Sequence, residues 1–290
     1  MKIGRNLNIV VIGVGKVGTG IVQAFAQSGF AVKGIDNSSQ ALQLAQQKID
    51  GNLSWLVSKE KISQEEKATI LERIQLSSDY DEIRSADVVI ESVFEDLNIK
   101  KELFGKMDKL VESSDALLLS NTSSLSISEI ASATKRPQQV AGMHFFNPVP
   151  IMKLVEVVQG IESSRKTVEQ VKELAVKMGK VPIVSKDSPG FIVNRMLNAL
   201  FVEAARIVEE GVGTIEDVDI GAKLGLGHPM GPFELADYLD GIPLLIHICQ
   251  YMQAELGPRF RVPVWVKNYV RAGRTGRSSG KGFFEYNDSK

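Results

Sequence analysis

The fold is decided by a stretch close to the N-terminus, Leu7-Asn8-Ile9-Val10-Val11-Ile12, which runs directly into Gly13-Val14-Gly15-Lys16-Val17-Gly18. The first part has the apolar character of a buried strand, and apolar residues recur at helical spacing after Gly18. A glycine turn between a strand and a helix lets backbone approach a pyrophosphate, whose charge faces the first N–H groups of the helix. We therefore predict a dinucleotide-binding turn in which Gly13 permits the tight turn, Gly15 lies near the phosphates and Gly18 packs the helix on its strand. The alternative is a flexible loop.

Asp36 ends the second predicted strand, residues 31–35. A carboxylate at this position accepts hydrogen bonds from a ribose and repels a 2′-phosphate, so it favours NAD over NADP. The same side chain is also suited to cap the helix that follows. Lys33 is a nearby cation that bears on the choice of cofactor.

Length, charge and cysteine content limit the classes of protein to which this chain can belong. The chain has 290 residues, 43% of them hydrophobic, and a net charge of −1, which predicts two domains and gives no electrostatic case for nucleic acid. Cys249 is the only cysteine, so several-thiolate zinc sites are excluded, and with the histidines scattered we expect no metal. There is no signal-peptide pattern and no apolar run long enough to span a bilayer, so a soluble cytoplasmic protein is expected.

Strand and helix patterns alternate as far as residue 186, and only helical patterns follow. This predicts an α/β fold: a Rossmann-type doubly wound domain over residues 1–186, with a helical insertion at 38–74, and an all-α domain over residues 187–290. The second domain is expected to begin with a helix capped by Ser188. A helical domain of about 100 residues often completes its burial against a second subunit, so we expect a homodimer formed through it. His228 is expected in a turn and His247 in a helical core.

His144 and Glu156 are the best candidates for proton transfer. His144 ends a predicted strand, and Glu156 lies on a return strand after a turn containing Pro148 and Pro150. A carboxylate bonded to one ring nitrogen fixes the imidazole tautomer and raises the basicity of the other nitrogen. A histidine beside two phenylalanines is also compatible with an ordinary core residue.

Ser123 lies in a hydroxyl-rich turn at the end of another predicted strand. The carboxyl ends of parallel strands are where open α/β sheets bind ligands, so Ser123 is a candidate donor to a substrate oxygen. Serine and threonine also cap helices, which is the competing interpretation. Asn194, in the first turns of the first C-terminal helix, is a further candidate that is equally compatible with a structural role.

Several motifs together resemble the 3-hydroxyacyl-CoA dehydrogenases, and among them the stand-alone bacterial 3-hydroxybutyryl-CoA dehydrogenases. The likeness extends from Leu7 to Phe284, and the motifs occur in the family's order and spacing. They are the glycine run, Ser120-Asn121-Thr122-Ser123-Ser124, His144-Phe145-Phe146-Asn147-Pro148, Lys153-Leu154-Val155-Glu156, Pro189-Gly190-Phe191-Ile192-Val193-Asn194-Arg195 and Gly231-Pro232-Phe233-Glu234.

This resemblance implies reversible, NAD-dependent interconversion of a (S)-3-hydroxyacyl-CoA, with 3-hydroxybutyryl-CoA expected, and the 3-ketoacyl-CoA. It implies that His144 is the general base that takes the 3-hydroxyl proton, that Glu156 orients it, and that Ser123 and Asn194 hold the substrate oxygen. The pathway, β-oxidation or acid fermentation in fatty acid and butanoate metabolism, stays open.

The resemblance also implies a set of binding residues. Those that match the nicotinamide half of the cofactor site are Glu95, Lys100, Ser123 and Asn147. Lys59 matches a basic residue that contacts the CoA tail, and Asn52 stands where some members have a CoA-contacting serine. Lys16 and Val17 depart from the neutral residue and methionine common in the family's glycine run, which is expected to affect cofactor affinity or preference.

Two other functions remain open from the sequence. A dehydrogenase of a free hydroxy acid or sugar acid, like the crystallin-like relatives, would keep His144 and Glu156 but not the CoA contacts. A non-catalytic dinucleotide-binding protein would keep the glycines and would need none of Glu156, Ser123 and Asn194.

Overall fold

The chain divides after Ser188 into two compact units. The structure is a computed structural model that describes residues 3–4, 6–239 and 241–286. The described part of the chain contains no helix that is both long and apolar enough to cross a membrane.

The first unit is built on one eight-stranded sheet with the order β3-β2-β1-β4-β5-β6-β7-β8. All neighbouring strands are parallel except β6 and β7, which are antiparallel. The central strands are buried on both faces, as their continuous apolar runs predict. The strands are β1 (Ile9–Ile12), β2 (Val32–Ile35), β3 (Ile74–Ser77), β4 (Val88–Glu91), β5 (Leu117–Ser120), β6 (Val140–Phe145), β7 (Leu154–Gln159) and β8 (Val181–Lys186).

Helices connect these strands, and most begin at a side chain that caps them. Ser38, Asp96 and Ser164 each accept a hydrogen bond from a backbone N–H in the first turn of their helix. The helices are α1 (Lys16–Gln27), α2 (Ser39–Ser58), α3 (Gln64–Glu72), α4 (Leu97–Leu110), α5 (Ile127–Ala131) and α6 (Arg165–Lys177). The Rossmann-type fold with its helical insertion, α2 and α3, is thereby confirmed.

One strand, β3, was not predicted. The insertion was expected to be helical from residue 38 to residue 74, but α3 ends at Glu72, and Ile74 begins β3 as an outer strand of the sheet. β3 pairs in parallel with β2, Val32 opposite Ile74. Only this long-range pairing selects a strand, because a short edge segment with little burial has no decisive periodicity of its own.

The second unit is helical, and its described residues contain no β-structure beyond two isolated bridges. Its core includes an aromatic cluster in which the Phe233 and Phe283 rings lie 4.9 Å apart and both contact Trp265. The helices are α7 (Val193–Glu209), α8 (Ile215–Ile220), which continues into a π-helical turn at Gly221–Gly225, α9 (Pro232–Tyr238), α10 (Ile242–Leu256) and α11 (Val264–Arg271).

Two predictions about this unit are wrong. Its first helix begins at Val193 and not after Ser188, because Gly190 has a φ of +75° and Phe191 a φ of +47°, values that a right-handed helix excludes. His247 is exposed, because the buried side chains of α10, such as Leu245 and Cys249, lie on the opposite face.

Candidate active site

The glycine turn after β1 has the geometry that a dinucleotide-binding turn requires. Gly13 has a φ of +89°, and a Cβ there would lie 2.6 Å from the carbonyl oxygen of Ser92. A Cβ on Gly18 would overlap the carbonyl oxygen of Gly13, so the close contact between α1 and the turn depends on both glycines. A Cβ on Gly15, in contrast, would meet no atom within 4 Å.

This turn fits a pyrophosphate group. Gly15 is exposed and precedes α1, whose N-terminus has no capping side chain among the described residues. A bare helix N-terminus beside open space is suited to a phosphate. Lys16, the first residue of α1, is exposed, and its carbonyl oxygen lies 3.4 Å from Lys48 Nζ. Val17 packs partly against the core, so the structure gives it less access to a ligand than Lys16.

Asp36 lies at the carboxyl end of β2, beside this turn. Its carboxylate accepts hydrogen bonds from the backbone N–H of Val14, at 3.0 Å, and of Ser38, at 2.9 Å. The cap of α2 is Ser38 and not Asp36. Lys33, the cation near Asp36 that could affect the choice of cofactor, forms an ion pair with Glu82 at 2.9 Å. Its charge is therefore balanced within the protein.

A buried charge network lies at the ends of β4 and β5. Lys100, 1% exposed on α4, places its Nζ 2.6 Å from Glu91 Oε1 and 3.2 Å from Glu95 Oε2. Glu91, fully buried at the end of β4, also accepts a hydrogen bond from Ser120 Oγ at 2.6 Å. The ammonium is thus held by two carboxylates, as a buried cation requires.

Glu95 connects this network to the serine-rich turn after β5. Its Oε1 accepts hydrogen bonds from Thr122 Oγ1 at 2.5 Å and from the Ser123 backbone N–H at 3.0 Å, and it lies 3.4 Å from Ser123 Oγ. Burial alone would raise the pKa of the Glu95 carboxyl, but the charge of Lys100 and these hydrogen bonds together hold the pKa below its ordinary value. Glu95 is therefore an anion at neutral pH.

His144 and Glu156 are in contact. They lie directly opposite each other in the β6–β7 register, and His144 Nδ1 is 2.8 Å from Glu156 Oε2. Both side chains are buried, with His144 6% exposed and Glu156 fully enclosed. The Phe146 ring lies 4.6 Å from the imidazole, centroid to centroid. A carboxylate on Nδ1 leaves Nε2 as the ring atom that can exchange a proton with a ligand.

Sheet topology places these groups along one edge of the sheet, the one formed by the carboxyl ends of the parallel strands. β1, β4, β5 and β6 are parallel, so their carboxyl ends, which carry the glycine turn, Glu91, the serine-rich turn and His144, lie side by side. β7 runs the other way and therefore starts at this edge, close to which it carries Glu156. This is the edge at which open α/β sheets bind their ligands.

The other predicted residues belong to several different elements of the two units. Asn147 is exposed in the loop that follows β6. Asn52 is exposed on α2 and donates to Gln23 Oε1 at 2.9 Å, and Lys59 is exposed at the C-terminal end of the same helix. Asn194 belongs to the first turn of α7 in the second unit. His228 lies in an irregular segment after the π-helical turn, where its backbone N–H donates to Ala222 O at 3.1 Å. The described residues contain no group of three or more His, Cys, Asp or Glu side chains suited to a metal.

Three residues that sequence reasoning missed help to build this edge. Glu91 and Thr122 hold Lys100 and Glu95, and Asn121 joins strand ends by accepting from the Phe145 backbone N–H at 2.9 Å and donating to Ser92 Oγ at 3.2 Å. Glu91 could have been found, because a carboxylate that ends a buried apolar strand needs a partner. Nothing local marks the partners of Thr122 or Asn121.

The comparisons with known proteins agree with this geometry. The model of the 3-hydroxyacyl-CoA dehydrogenase NAD binding domain matches residues 8–188, and that of the 3-hydroxyacyl-CoA dehydrogenase C-terminal domain matches residues 190–286. The chain belongs to the 3-hydroxyacyl-CoA dehydrogenase family. The resemblance drawn from the motifs is confirmed, and the chain is an NAD-dependent dehydrogenase of this family.

Individual relatives match almost the whole chain. It is 42% identical to the 3-hydroxybutyryl-CoA dehydrogenase of Clostridioides difficile over 97% of this chain and 100% of that protein. It is 39% identical to the mitochondrial hydroxyacyl-coenzyme A dehydrogenase of Sus scrofa, over 96% of this chain and 91% of the relative. Among solved structures, the (S)-3-hydroxybutyryl-CoA dehydrogenase of Ralstonia eutropha is 37% identical and aligns with a TM-score of 0.94, covering 98% of this chain and 100% of that one.

Proposed function

We propose that this member of the family interconverts (S)-3-hydroxybutyryl-CoA and acetoacetyl-CoA, with His144 as the general base. The observation that carries the proposal is the 2.8 Å contact between His144 Nδ1 and Glu156 at the edge of the sheet that also bears the glycine turn. The names of the two 3-hydroxybutyryl-CoA dehydrogenases that match the chain support the substrate.

The proposed reaction consists of one proton transfer and one hydride transfer. In oxidation, Nε2 of His144 takes the proton of the 3-hydroxyl group while the C3–H bond breaks and the C3–O double bond forms. NAD, when bound, accepts the hydride. In the reverse direction, protonated His144 returns its proton to the oxygen of the reduced carbonyl, so the balance is one hydride and one proton either way.

Glu156 keeps His144 ready for this task. A carboxylate on Nδ1 holds that nitrogen protonated, so that Nε2 carries the lone pair, and it stabilises the imidazolium that forms in oxidation. The pair is buried, so competing water is kept away from the Nδ1 side. Glu156 thus orients the base without itself exchanging a proton with substrate.

Ser123 and Asn194 are assigned to the substrate oxygen as part of the proposal. Glu95 accepts a hydrogen bond from the Ser123 backbone N–H at 3.0 Å and so holds the turn that carries this side chain, which favours stabilisation of developing charge. The Ser123 hydroxyl, 3.4 Å from Glu95, would turn its single proton from that carboxylate to the substrate oxygen. Asn194 retains this role from the family resemblance. Glu95, Lys100 and Asn147 are proposed at the nicotinamide half of the cofactor.

The CoA moiety is proposed to lie along the end of α2. Lys59 supports this because it is an exposed cation at the helix end, suited to a phosphate of the tail. Asn52 donates one N–H of its side-chain amide to Gln23, and its other N–H and its carbonyl oxygen would contact the CoA tail.

The deciding experiment compares acetoacetyl-CoA with free acetoacetate and with longer 3-ketoacyl-CoAs, using NADH and NADPH in parallel. We expect reduction of acetoacetyl-CoA with NADH and a large loss of kcat/KM for acetoacetate. Equal rates with acetoacetate would favour a dehydrogenase of free acids, and preference for long chains would contradict the proposed substrate.

We also propose a homodimer formed through the second unit, in the cytoplasm. That unit exposes several large apolar side chains, as expected of a surface covered by a second subunit. They are Val212, Leu224, Leu226, Tyr238 and Leu244, between 48% and 85% exposed. Sedimentation at micromolar concentration should give twice the 31.8 kDa chain mass, and a monomer would contradict the proposal.

A further inference from the structure

Lys180 is a buried cation in an unusual setting. It lies between α6 and β8 and is 8% exposed, yet no carboxylate in the described part of the chain is within ion-pair distance of its Nζ. The ammonium instead donates to two backbone carbonyl oxygens, Val149 O at 2.6 Å and Met152 O at 2.7 Å. Burial lowers the pKa of Lys180, so the charge is held there against a desolvation penalty.

Both acceptors belong to one loop, residues 146–153, which joins β6 to β7 and which we call the dyad loop. The loop turns on Pro148, whose carbonyl accepts from the N–H groups of Ile151 and Met152, each at 3.0 Å. Its end is held next to Lys180, where Val181 N–H donates to Lys153 O at 2.7 Å. Lys180 thus binds the middle of the loop from one side.

Helix α1 holds the loop from the other side. Val149 is 1% exposed and packs on Gly20, where a Cβ would come within 3.1 Å of the Val149 Cβ. Gly20 is in the same helix that starts at the glycine turn. The dyad loop is therefore fixed between a buried ammonium and the helix that carries the dinucleotide site.

The loop also connects the two halves of the proton-transfer pair. It begins two residues after His144, whose ring is in contact with Phe146, and it ends three residues before Glu156. Asn147 is part of it. A shift of this loop would therefore move groups around the imidazole and change their distance from the cofactor site.

We propose that Lys180 is a positioning residue for the reaction. It clamps the dyad loop against α1 and so holds Phe146 and Asn147 in register with His144 and the dinucleotide. The inference rests on the proposed function, since positioning has a consequence for turnover only if His144 and Asn147 act there. The clamp itself, in contrast, is measurable without substrate.

The test replaces Lys180 by Met, which keeps the length of the side chain and removes the ammonium, and by Arg, which restores two donors. For K180M we expect kcat about 10- to 100-fold lower, since misplacement by roughly 1 Å has effects of that size, together with faster hydrogen exchange of the Ile151 and Met152 amides. K180R should recover most of both. K186M is the matched control and should behave as the wild type, because Lys186 is an exposed lysine of β8 whose ammonium donates to the Gln159 side chain and to no loop carbonyl among the described residues.

The clamp is wrong if folded K180M exchanges these amides at the wild-type rate and keeps kcat within about twofold, or if K180R restores neither quantity. If K180M fails to fold, Gly20→Ala tests the same loop through its contact with α1. The added methyl should press on Val149 Cβ and Cγ2, raise exchange and lower kcat. The second change Val149→Ala removes the Cγ2 contact at 3.3 Å but keeps Cβ, so it should reverse part of both effects. Wild-type behaviour of G20A, or no reversal, also rejects the clamp.

A wild-type chain inactive on acetoacetyl-CoA would reject the proposed substrate, while the exchange result still decides the clamp.

Discussion

The proposed role of His144 as general base depends on one contact. A histidine between apolar neighbours in a strand would have no function, but the carboxylate opposite it, 2.8 Å from Nδ1, selects the tautomer in which Nε2 can accept a proton. Antiparallel pairing of β6 and β7 produces this contact, because it sets His144 directly opposite Glu156. At the residue scale, function depends on strand register.

We predict that His144→Gln lowers kcat by about 10² to 10⁴, because loss of a general base typically has this effect, while NADH affinity changes little. Steady-state kinetics and NADH fluorescence titration measure the two quantities. His247→Gln is the matched control, since His247 is exposed on α10 and has no assigned role. A kcat near that of the wild type would remove His144 from the mechanism.

Asp36 illustrates a residue with two tasks. Its two carboxylate oxygens accept from the Val14 and Ser38 N–H groups and so support the glycine turn, and in the proposed cofactor site its charge repels a 2′-phosphate. Asp36→Asn removes the charge and keeps one of the two acceptor oxygens, so one of these hydrogen bonds is lost as well. We predict that the ratio of NADPH to NADH affinity rises, measured by titration with both cofactors. An unchanged ratio would mean that another group selects the cofactor.

At the scale of elements, the ends of β4 and β5 and the start of α4 are joined by buried charge. Lys100 is enclosed, and its charge is balanced by the carboxylates of Glu91 and Glu95. The network positions Glu95, which in turn holds the serine-rich turn. Neither element would present its polar side chains at a fixed place without the other.

We predict that Glu91→Gln lowers the free energy of unfolding by on the order of 3 kcal/mol, because it leaves a buried ammonium with one carboxylate less, and that it weakens NADH binding. The control is Glu129→Gln, which removes the exposed ion pair with Lys101 at 3.6 Å and should change stability by less than about 1 kcal/mol. Urea unfolding monitored by circular dichroism measures both variants. Equal effects would show that the Glu91 pair contributes no more than a surface pair.

At the scale of the whole molecule, the only cysteine reports on the core of the second unit. Cys249 is fully buried on α10, and its thiol donates to Asn198 Oδ1 at 3.2 Å. Burial raises the pKa of the thiol from 9.0 to about 12. The thiolate that reacts with disulfide reagents is therefore almost absent from the folded chain at pH 8.

We predict that Cys249 does not react with an aromatic disulfide reagent at pH 8 in the native state and reacts fully in denaturant. The same pKa shift makes stability depend on pH. Between pH 9 and 12 the thiol of the unfolded chain loses its proton and that of the folded chain keeps it. The contribution of Cys249 to the free energy of unfolding therefore falls as the pH rises. Reaction rates across a urea series give the opening free energy. Rapid labelling without denaturant would show that the α10 core opens locally.

Much of the fold could be predicted because its signals are local. The apolar run of β1, the glycine turn and the helical spacing of α1 are contiguous, and together they favour a dinucleotide-binding turn over a flexible loop. The acidic end of β2 and the change to purely helical patterns in the last third of the chain were readable in the same way. The candidate pair His144 and Glu156 was predictable because the motif order fixes which strands return to the site edge.

The tertiary structure alone decided everything that depends on a distant partner. β3 exists because Val32 and its neighbours pair with Ile74, and α7 starts late because the chain passes through two positive φ values first. His247 is exposed because the opposite face of α10 meets the core. Lys180 is a surface-type residue in any local pattern, and only packing places its ammonium on the carbonyls of the dyad loop. Local patterns carry backbone preference and burial, while hydrogen-bond partners far apart in the chain are set by the folded arrangement.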